Sequence, residues 1–298
     1  MRGLSRLLVF FLGLGAVACM SWTPGWREAA FPGPGGDSPG LLAEAEARFA
    51  AADSRAALAA AIAKAEAAAA ADPRNVEALS LAGEAWCLMG AAYCETRAEK
   101  RNAYLTAVRF CERAMGANPE FAVRVADGET IDAAVATLGP REMAALNFWA
   151  TAVSYYFKEC LSGLGHVVNF RWMKRERAVI ERMSALDPEW GDGAVGFAWG
   201  IYYVALPESV GGDLERSRTI LDGLVAARPD TLLPRWGRGK YFHTRTRDKE
   251  ACRRDLEWVV SQDPRRAPGK LAWNVYFHAD ASRLQERLDA MFAKRRPR

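Results

Sequence analysis

A helix ending that recurs along the chain constrains the fold more than any other feature. Five segments place a proline one or two residues past the last apolar position of an amphipathic run: AAADPRNVEAL, MGANPEFAV, ALDPEWGDG, AARPDTLLP and SQDPRRAPG. Proline has no backbone N–H and a fixed φ, so it cannot continue the helix. From Leu41 onward the periodicity is helical, with no run of strict apolar and polar alternation. The sequence therefore predicts an all-α chain.

The spacing of these prolines predicts a repeat. Pro264 follows Pro229 by 35 residues, close to the roughly 34 residues of a tetratricopeptide unit, which consists of two antiparallel helices. Gly239 follows Pro229, and Gly83 follows Pro73, at the place where this unit has a small residue that lets its two helices pack closely. The other prolines are farther apart, which indicates insertions. We therefore expect a superhelix of tetratricopeptide-like helix pairs with enlarged turns.

The N-terminus has the pattern of an export signal. Arg2 and Arg6 precede the apolar run LLVFFLGLGAVA, which is shorter than the roughly 20 residues of a membrane-spanning helix. Residues 1–18 are predicted to be a signal peptide. The sequence AVAC resembles a bacterial lipobox, in which Cys19 would be acylated, although Ala16 stands where leucine is usual. AVA also fits an ordinary signal peptidase, so both processing routes stay open at this point.

A stretch rich in proline and glycine follows the signal. MSWTPGWREAAFPGPGGDSPG breaks every helical period, and it predicts a flexible, lipid-anchored tether over residues 19–40. The helical repeat domain is then expected over residues 41–298. This order predicts an exported domain that its lipid holds at a membrane surface. Met20 after Cys19, in place of aspartate, favours the outer membrane.

Charge and motifs argue against several classes of function. The formal net charge is +4 and is spread along the chain apart from the closing KRRPR, so no nucleic-acid surface is predicted. GDGAVG matches the nucleotide-binding pattern G-x-G-x-x-G, but that pattern follows a strand in nucleotide-binding proteins. Here it follows a helix end, so no phosphate site is predicted. The three histidines are far apart in sequence, and neither H-E-x-x-H nor G-x-S-x-G occurs. We predict no metal site, no cofactor and no catalytic residue, and therefore no enzyme.

The cysteines are less informative. After Cys19 an odd number remains, with no C-x-x-C pair. We favour buried small apolar residues, and a disulfide between helices stays open. They are Cys87, Cys94, Cys111, Cys160 and Cys252.

The segment LPESVGGDLERS allows two interpretations. It is either a catalytic loop that uses Glu208 and Ser209, or the turn between two packed helices. Pro207 stops the first helix, the two glycines supply backbone freedom, and Asp213 can cap the next helix. No base lies nearby in sequence. The turn therefore explains more of the segment than catalysis does.

Two aromatic helices carry the candidate binding site. NFWATAVSYYFKE and FAWGIYYVALPE place aromatic residues on several faces, whereas an ordinary repeat helix buries one stripe. Such helices either form the centre of a large core or line a cavity, and the sequence does not choose between these two. Arg171, in the basic stretch NFRWMKRER, could contact an anion. The candidate ligand-binding residues are Trp149, Tyr155, Tyr156, Arg171, Trp199, Tyr202, Tyr203 and Glu208.

Several segments together resemble a known family. YCETRAEKRNAY, NFWATAVSYYFKEC, YYVALPESVGGDLERSRTIL, RPDTLLPRWGRGKYF and SQDPRRAPGKLAWNVYF are similar to the T component associated with TRAP transporters, over about residues 60–295. The resemblance implies a tetratricopeptide-like periplasmic lipoprotein, acylated at Cys19, that forms a homo-oligomeric ring. It further implies a solute-binding protein as partner and a small organic acid or hydrophobic ligand. A scaffold for protein assembly in the cell envelope is the alternative.

Overall fold

The computed structural model describes residues 20–28 and 36–293. The predicted signal peptide and Cys19 lie outside the described residues. Every regular element within the described ranges is helical, which confirms the predicted all-α class. The helices are Ser38–Ala50 (α1), Arg55–Ala71 (α2), Val76–Tyr93 (α3), Arg97–Gly116 (α4), Pro119–Ala126 (α5), Ile131–Ala134 (α6), Met143–Tyr155 (α7), Gly163–Val168 (α8), Arg171–Leu186 (α9), Trp190–Ala205 (α10), Leu214–Ala227 (α11), Leu232–Gly237 (α12), Thr244–Thr246 (α13), Lys249–Ser261 (α14), Leu271–Glu286 (α15) and Leu288–Phe292 (α16).

Neighbouring helices form packed pairs. α1 packs on α2, α3 on α4, α10 on α11 and α14 on α15, an order compatible with tetratricopeptide-like units. The small residue that was predicted at Gly83 has the expected role, because a Cβ there would lie 2.5 Å from the sulfur of Cys111 on the partner helix. A Cβ at Gly239 would lie 3.3 Å from the Cβ of Asp255. Of these two glycines, Gly83 is the one whose helix contact leaves no room for a side chain.

The prolines end helices as the sequence predicted. α2 ends at Ala71, two residues before Pro73, and α11 ends at Ala227, two residues before Pro229. Asn75 follows Pro73 and caps α3 by accepting a hydrogen bond from the Ala78 backbone N–H at 2.9 Å. One helix thus stops and the next begins within a few residues.

The segment LPESVGGDLERS is a turn between α10 and α11. Glu208–Val210 forms one turn of 3₁₀ helix, and Asp213 caps α11 by accepting from the Arg216 N–H at 2.9 Å. Gly211 has a φ of 102°, which favours glycine. Gly212 is required for another reason, because a Cβ there would lie 2.0 Å from the carbonyl oxygen of Leu206.

The predicted tether is corrected where the structure describes its first part. Met20 is fully buried, and the ring of Trp22 stacks on Trp172 with centroids 4.1 Å apart. Trp26 contacts Phe121 edge to face. Residues 20–28 therefore belong to the folded domain, because their tryptophan side chains bury apolar surface against it. The proline and glycine content predicted only that this segment is not a regular helix. The next described segment enters α1 at Ser38, three residues before the predicted domain start.

Two further features of the described residues concern membrane-spanning helices and the cysteines. Within residues 20–28 and 36–293, none of the helices combines the length and apolar character needed to cross a membrane. The five cysteines of the folded domain are free thiols, four of them buried and Cys94 half-buried. They fill space between helices in the way that small apolar residues do.

Candidate functional site

A large cavity lies among the C-terminal two thirds of the helices. Its volume is about 1840 Å³, and α7 and α10 contribute more of its lining residues than any other helix. Ligand pockets usually measure about 300–1,000 Å³, so this one has room for an extended ligand. Aromatic side chains form much of the lining: Phe148, Phe157, Phe197, Trp236, Trp273 and Phe277.

Two π-helical segments form one end of this cavity. Tyr156–Cys160 continues α7, and Arg238–His243 continues α12. A π-helical turn displaces side chains from the positions of a regular α-helix, and such turns are frequent at functional sites. Here they bring together two segments that are distant in sequence. The Nζ atom of Lys158 lies 3.8 Å from the centroid of the Tyr241 ring.

The two lysines at this end differ in their partners. Lys240 forms an ion pair with Asp280 at 2.8 Å, and the indole N–H of Trp236 donates to the same carboxylate at 2.8 Å. The charge of Lys240 is therefore balanced within the protein. Burial raises the pKa of Asp280, but the charge and hydrogen bond of Lys240 outweigh it, so the net shift is downward.

Lys158 has no such counterion. In the described part of the chain no carboxylate lies within ion-pairing distance of its Nζ, and the adjacent Glu159 binds Lys100 at 2.6 Å instead. Lys158 is exposed, since much of its side chain borders the open cavity, although protein atoms pack densely around it on its other sides. Burial first, and then the charge of Lys240, lower the pKa of Lys158 to about 7. An anion that enters the cavity would supply the missing charge.

A second unsatisfied group lies in the cavity wall. Glu176 of α9 is 5% exposed, and its Oε1 accepts a hydrogen bond from the Ser154 hydroxyl at 2.5 Å. Its Oε2 is buried without a hydrogen-bond partner among the described residues. Burial raises the pKa of Glu176 to about 7, and the Ser154 hydrogen bond opposes this shift. Two titrating groups therefore border one cavity.

A buried ion pair holds the second π-helical segment in place. Arg238 donates to both oxygens of Asp255, each at 2.7 Å, and also to Asp222 at 2.7 Å. His243 lies 3.3 Å from the same Asp255 carboxylate. These bonds fix both ends of the segment that carries Lys240 and Tyr241.

A left-handed turn borders the other side of the cavity. Gly191, Asp192 and Gly193 have φ values of 65°, 55° and 89°, which interrupts α10 near its start. Asp192 is the unfavourable member, because residues other than glycine rarely adopt a positive φ. Gly191 and Asp192 line the cavity. The motif GDGAVG is thus a turn in the cavity wall that follows a helix, as predicted.

Of the candidate residues from the sequence, Tyr155 lines the cavity. Tyr156 lines a separate groove near α8. Trp149 is fully buried elsewhere and donates its indole N–H to Glu112 at 3.2 Å.

The remaining candidates lie away from the cavity lining. Trp199 donates to the Ser184 hydroxyl at 2.8 Å and stacks on Tyr203, while Tyr202 contacts both rings edge to face. Arg171 and Glu208 are exposed at the surface. The two aromatic helices therefore do supply cavity walls, but mostly through other side chains: Phe148, Thr151, Lys158, Phe197, Ala198 and Ile201.

Sequence reasoning missed the lysines and Tyr241. Gly239 packs on α14, as the repeat predicts, but the next two residues, Lys240 and Tyr241, line the cavity. The available signal was a lysine flanked by aromatic residues in both YYFKE and GKYF. A charged side chain next to aromatic residues within an otherwise apolar helix indicates a polar contact or a ligand site.

The fold and site define an all-α protein with a large aromatic cavity and an uncompensated lysine at one end. No cluster of metal-binding side chains occurs within residues 20–28 and 36–293. The family model of the TRAP transporter T-component matches residues 54–292, and the chain belongs to this family. The family is a transporter-associated component and not an enzyme family. A comparison with curated proteins finds no match.

Proposed function

We propose that the protein binds an amphipathic carboxylate in this cavity and relays it with the solute-binding protein of a TRAP transporter. The observation that carries the proposal is Lys158, a cation that lines an aromatic cavity and has no counterion among the residues that the structure describes. A carboxylate would pair with it, and an apolar chain would cover the aromatic walls. Small organic acids with an apolar portion, and more hydrophobic acids, have this chemistry.

The energetics favour a ligand with both parts. Transfer of apolar surface from water contributes about 25 cal/mol per Å², so the chain would supply most of the affinity. The carboxylate would supply specificity, because an ion pair stabilises the Lys158 ammonium more strongly than a hydrogen bond to an alcohol does. Tyr241 stabilises the Lys158 ammonium without neutralising it.

The location of this activity is the envelope. Membership of a TRAP transporter family supports association with TRAP transport. We infer that the protein is exported, acylated at Cys19 and held at the periplasmic face of a membrane, with the outer membrane favoured. Self-association into a ring is part of the same proposal. There the cavity would exchange its ligand with the solute-binding protein.

A cavity-filling substitution tests the proposal. Decanoate would be titrated into the purified protein by calorimetry, and Ala198→Trp, which places an indole in the cavity lining, is expected to abolish the heat of binding. Ala226→Trp on the exposed side of α11 is the matched control and should bind normally.

A second arm separates ligand relay from scaffolding. A TRAP solute-binding protein from the same organism would be tested for binding to both tryptophan variants. If decanoate and shorter or longer carboxylates all fail to bind the wild type, while the solute-binding protein still binds, the protein is a docking scaffold and the cavity proposal is wrong.

A further inference from the structure

One short helix exposes an unusual amount of apolar surface. Leu164, Val167 and Val168 of α8 are 62%, 73% and 50% exposed, and with Val123 and Val210 they make up the large exposed apolar side chains of the described ranges. Clusters of exposed apolar residues mark interaction surfaces in folded proteins. We call Leu164, Val167 and Val168, together with the two arginines described next, the α8 surface.

A basic groove adjoins these apolar residues. Its volume is about 900 Å³, and Arg97, Arg101, Leu161 and Leu164 are among its lining residues. Arg97 and Arg101 are four residues apart on α4, so they share one face of that helix. Both are exposed, and neither has an ion-pair partner within the described part of the chain. The groove thus presents two free guanidinium groups beside an apolar helix.

The chain enters the folded domain at the same place. The Met20 backbone N–H donates to Oδ1 of Asn169 at 2.6 Å, and the Trp172 indole donates to the Met20 carbonyl at 2.7 Å. The Asn169 amide also donates to the Gly165 carbonyl of α8 at 2.7 Å. Met20 is covalently joined to Cys19. A lipid on Cys19 would therefore be attached directly beside α8.

One mouth of the large cavity opens at this surface too. Val167 of α8 and Val210 of the turn before α11 are both exposed, and both line the cavity. Residues with both properties lie where a cavity meets solvent. Phe170, just after α8, continues the lining inward.

We propose that the α8 surface docks on an anionic phospholipid bilayer, so that the cavity mouth faces the membrane. Arg97 and Arg101 would contact headgroup phosphates, and Leu164, Val167 and Val168 would enter the interface. Basic residues beside apolar side chains have this preference, and the negative surface potential of a bilayer acts over about one Debye length. Met20, the two arginines and the apolar helix lie close together, so a lipid on Cys19 would favour a membrane over a protein partner at this surface.

The second step of this inference rests on the proposed function. An amphipathic carboxylate partitions into membranes, so a cavity that opens on the bilayer could exchange its ligand with it directly. Docking itself needs no ligand, and the two steps can fail separately.

Vesicle sedimentation tests the docking. The protein would be exported with Cys19→Ser, so that no lipid contributes, and mixed with vesicles of phosphatidylethanolamine and phosphatidylglycerol or of phosphatidylcholine alone. We expect binding to the anionic vesicles at least fivefold stronger than to the neutral ones. Val167→Ser/Val168→Ser and Arg97→Gln/Arg101→Gln should each reduce it at least fivefold.

Two controls match these variants. Val123→Ser removes an exposed valine from α5, and Arg177→Gln/Arg218→Gln removes the same net charge from α9 and α11. Both should bind anionic vesicles as well as the parent does. The docking proposal would be overturned if the Cys19→Ser parent protein did not bind anionic vesicles. It would also be overturned if the control variants lost as much vesicle binding as the α8 variants. A solute-binding protein that protects α8 from proteolysis when vesicles do not would overturn it as well.

The exchange step has its own readout. A dansylated undecanoate would be transferred from the protein to anionic vesicles, and the rate should rise with vesicle concentration in the parent but not in the α8 variants. Vesicle binding without any dansyl-undecanoate binding would retain the docking and reject the proposed function. A rate independent of vesicle concentration in the parent would reject exchange through the α8 surface.

Discussion

The Lys158 ammonium lies over the ring of Tyr241, with Nζ 3.8 Å from the ring centroid. The two residues belong to different π-helical segments, and each segment departs from regular helix at the cavity. The contact stabilises the charge of Lys158 but leaves it without a counterion. This arrangement is costly to maintain, and ligand binding would offset its cost.

Binding of a carboxylate should depend on pH through Lys158. The pKa of Lys158 is lowered to about 7 in the free protein, so the side chain is a charged ammonium below that pH and a neutral amine above it. A carboxylate stays ionised over this range. Decanoate affinity should therefore fall about tenfold or more from pH 6.5 to pH 8.5. Calorimetry in buffers of different ionisation enthalpy should show proton uptake on binding above pH 7.

The absence of proton uptake would remove Lys158 from the binding step. An uncharged ligand provides the control, since the affinity for decanol should vary little over the same pH range.

Glu176 should make folding stability fall as the pH rises. Its pKa is raised from 4.5 to about 7 by burial, so between these values the folded state keeps a proton that the unfolded state loses. Glu176→Gln retains a carbonyl oxygen for Ser154 and removes this penalty. The variant should be more stable than the wild type by about 1–3 kcal/mol at pH 8, with a smaller difference at pH 5.

Urea denaturation at the two pH values measures this change. Glu181→Gln, at an exposed position on α9, is the control and should show no such trend. A Glu176→Gln variant whose advantage did not grow with pH would show that this carboxyl is not buried in the way described.

Glu112 should hold residues 20–28 on the domain. It is 1% exposed and accepts hydrogen bonds from the Trp22 indole at 3.0 Å, the Gly25 backbone N–H at 2.7 Å and the Trp149 indole at 3.2 Å. Glu112→Ala leaves these donors unpaired, which costs about 1–3 kcal/mol for each buried group left unsatisfied.

Trypsin cleavage after Arg27 reports this release. The Glu112→Ala variant should be cut at least several-fold faster than the wild type, whereas Glu120→Ala on the exposed side of α5 should not. Equal cleavage rates in all three proteins would mean that Glu112 does not anchor the segment.

Features set by local chemistry could be predicted from the sequence. Prolines gave the helix ends, Gly83 gave a close helix contact, and LPESVGGDLERS gave a capped turn, because each depends on residues that are close in sequence or on a repeat of known length. The same reasoning found the two aromatic helices of the cavity.

Features that depend on contacts between distant parts of the chain could not be predicted from the sequence. Trp199 and Tyr203 occur in the same aromatic run as Phe197, yet they stack on each other away from the cavity that Phe197 lines. The meeting of Lys158 with Tyr241 depends on two π-helical segments that no periodicity reveals. Proline and glycine in the N-terminal stretch predicted a flexible tether, but Trp22 stacks on Trp172, more than 100 residues away in sequence, and orders the first part of it.

The affinity of Lys158→Met for decanoate and decanol at pH 6.5 tests the central claim most directly. Methionine keeps the length and apolar stem of the side chain but removes the charge. Decanoate should bind at least tenfold more weakly to the variant, a loss of about 1.4 kcal/mol or more, while decanol should bind equally to both proteins. Equal decanoate affinity in the two proteins would contradict the assignment of Lys158 as the carboxylate partner.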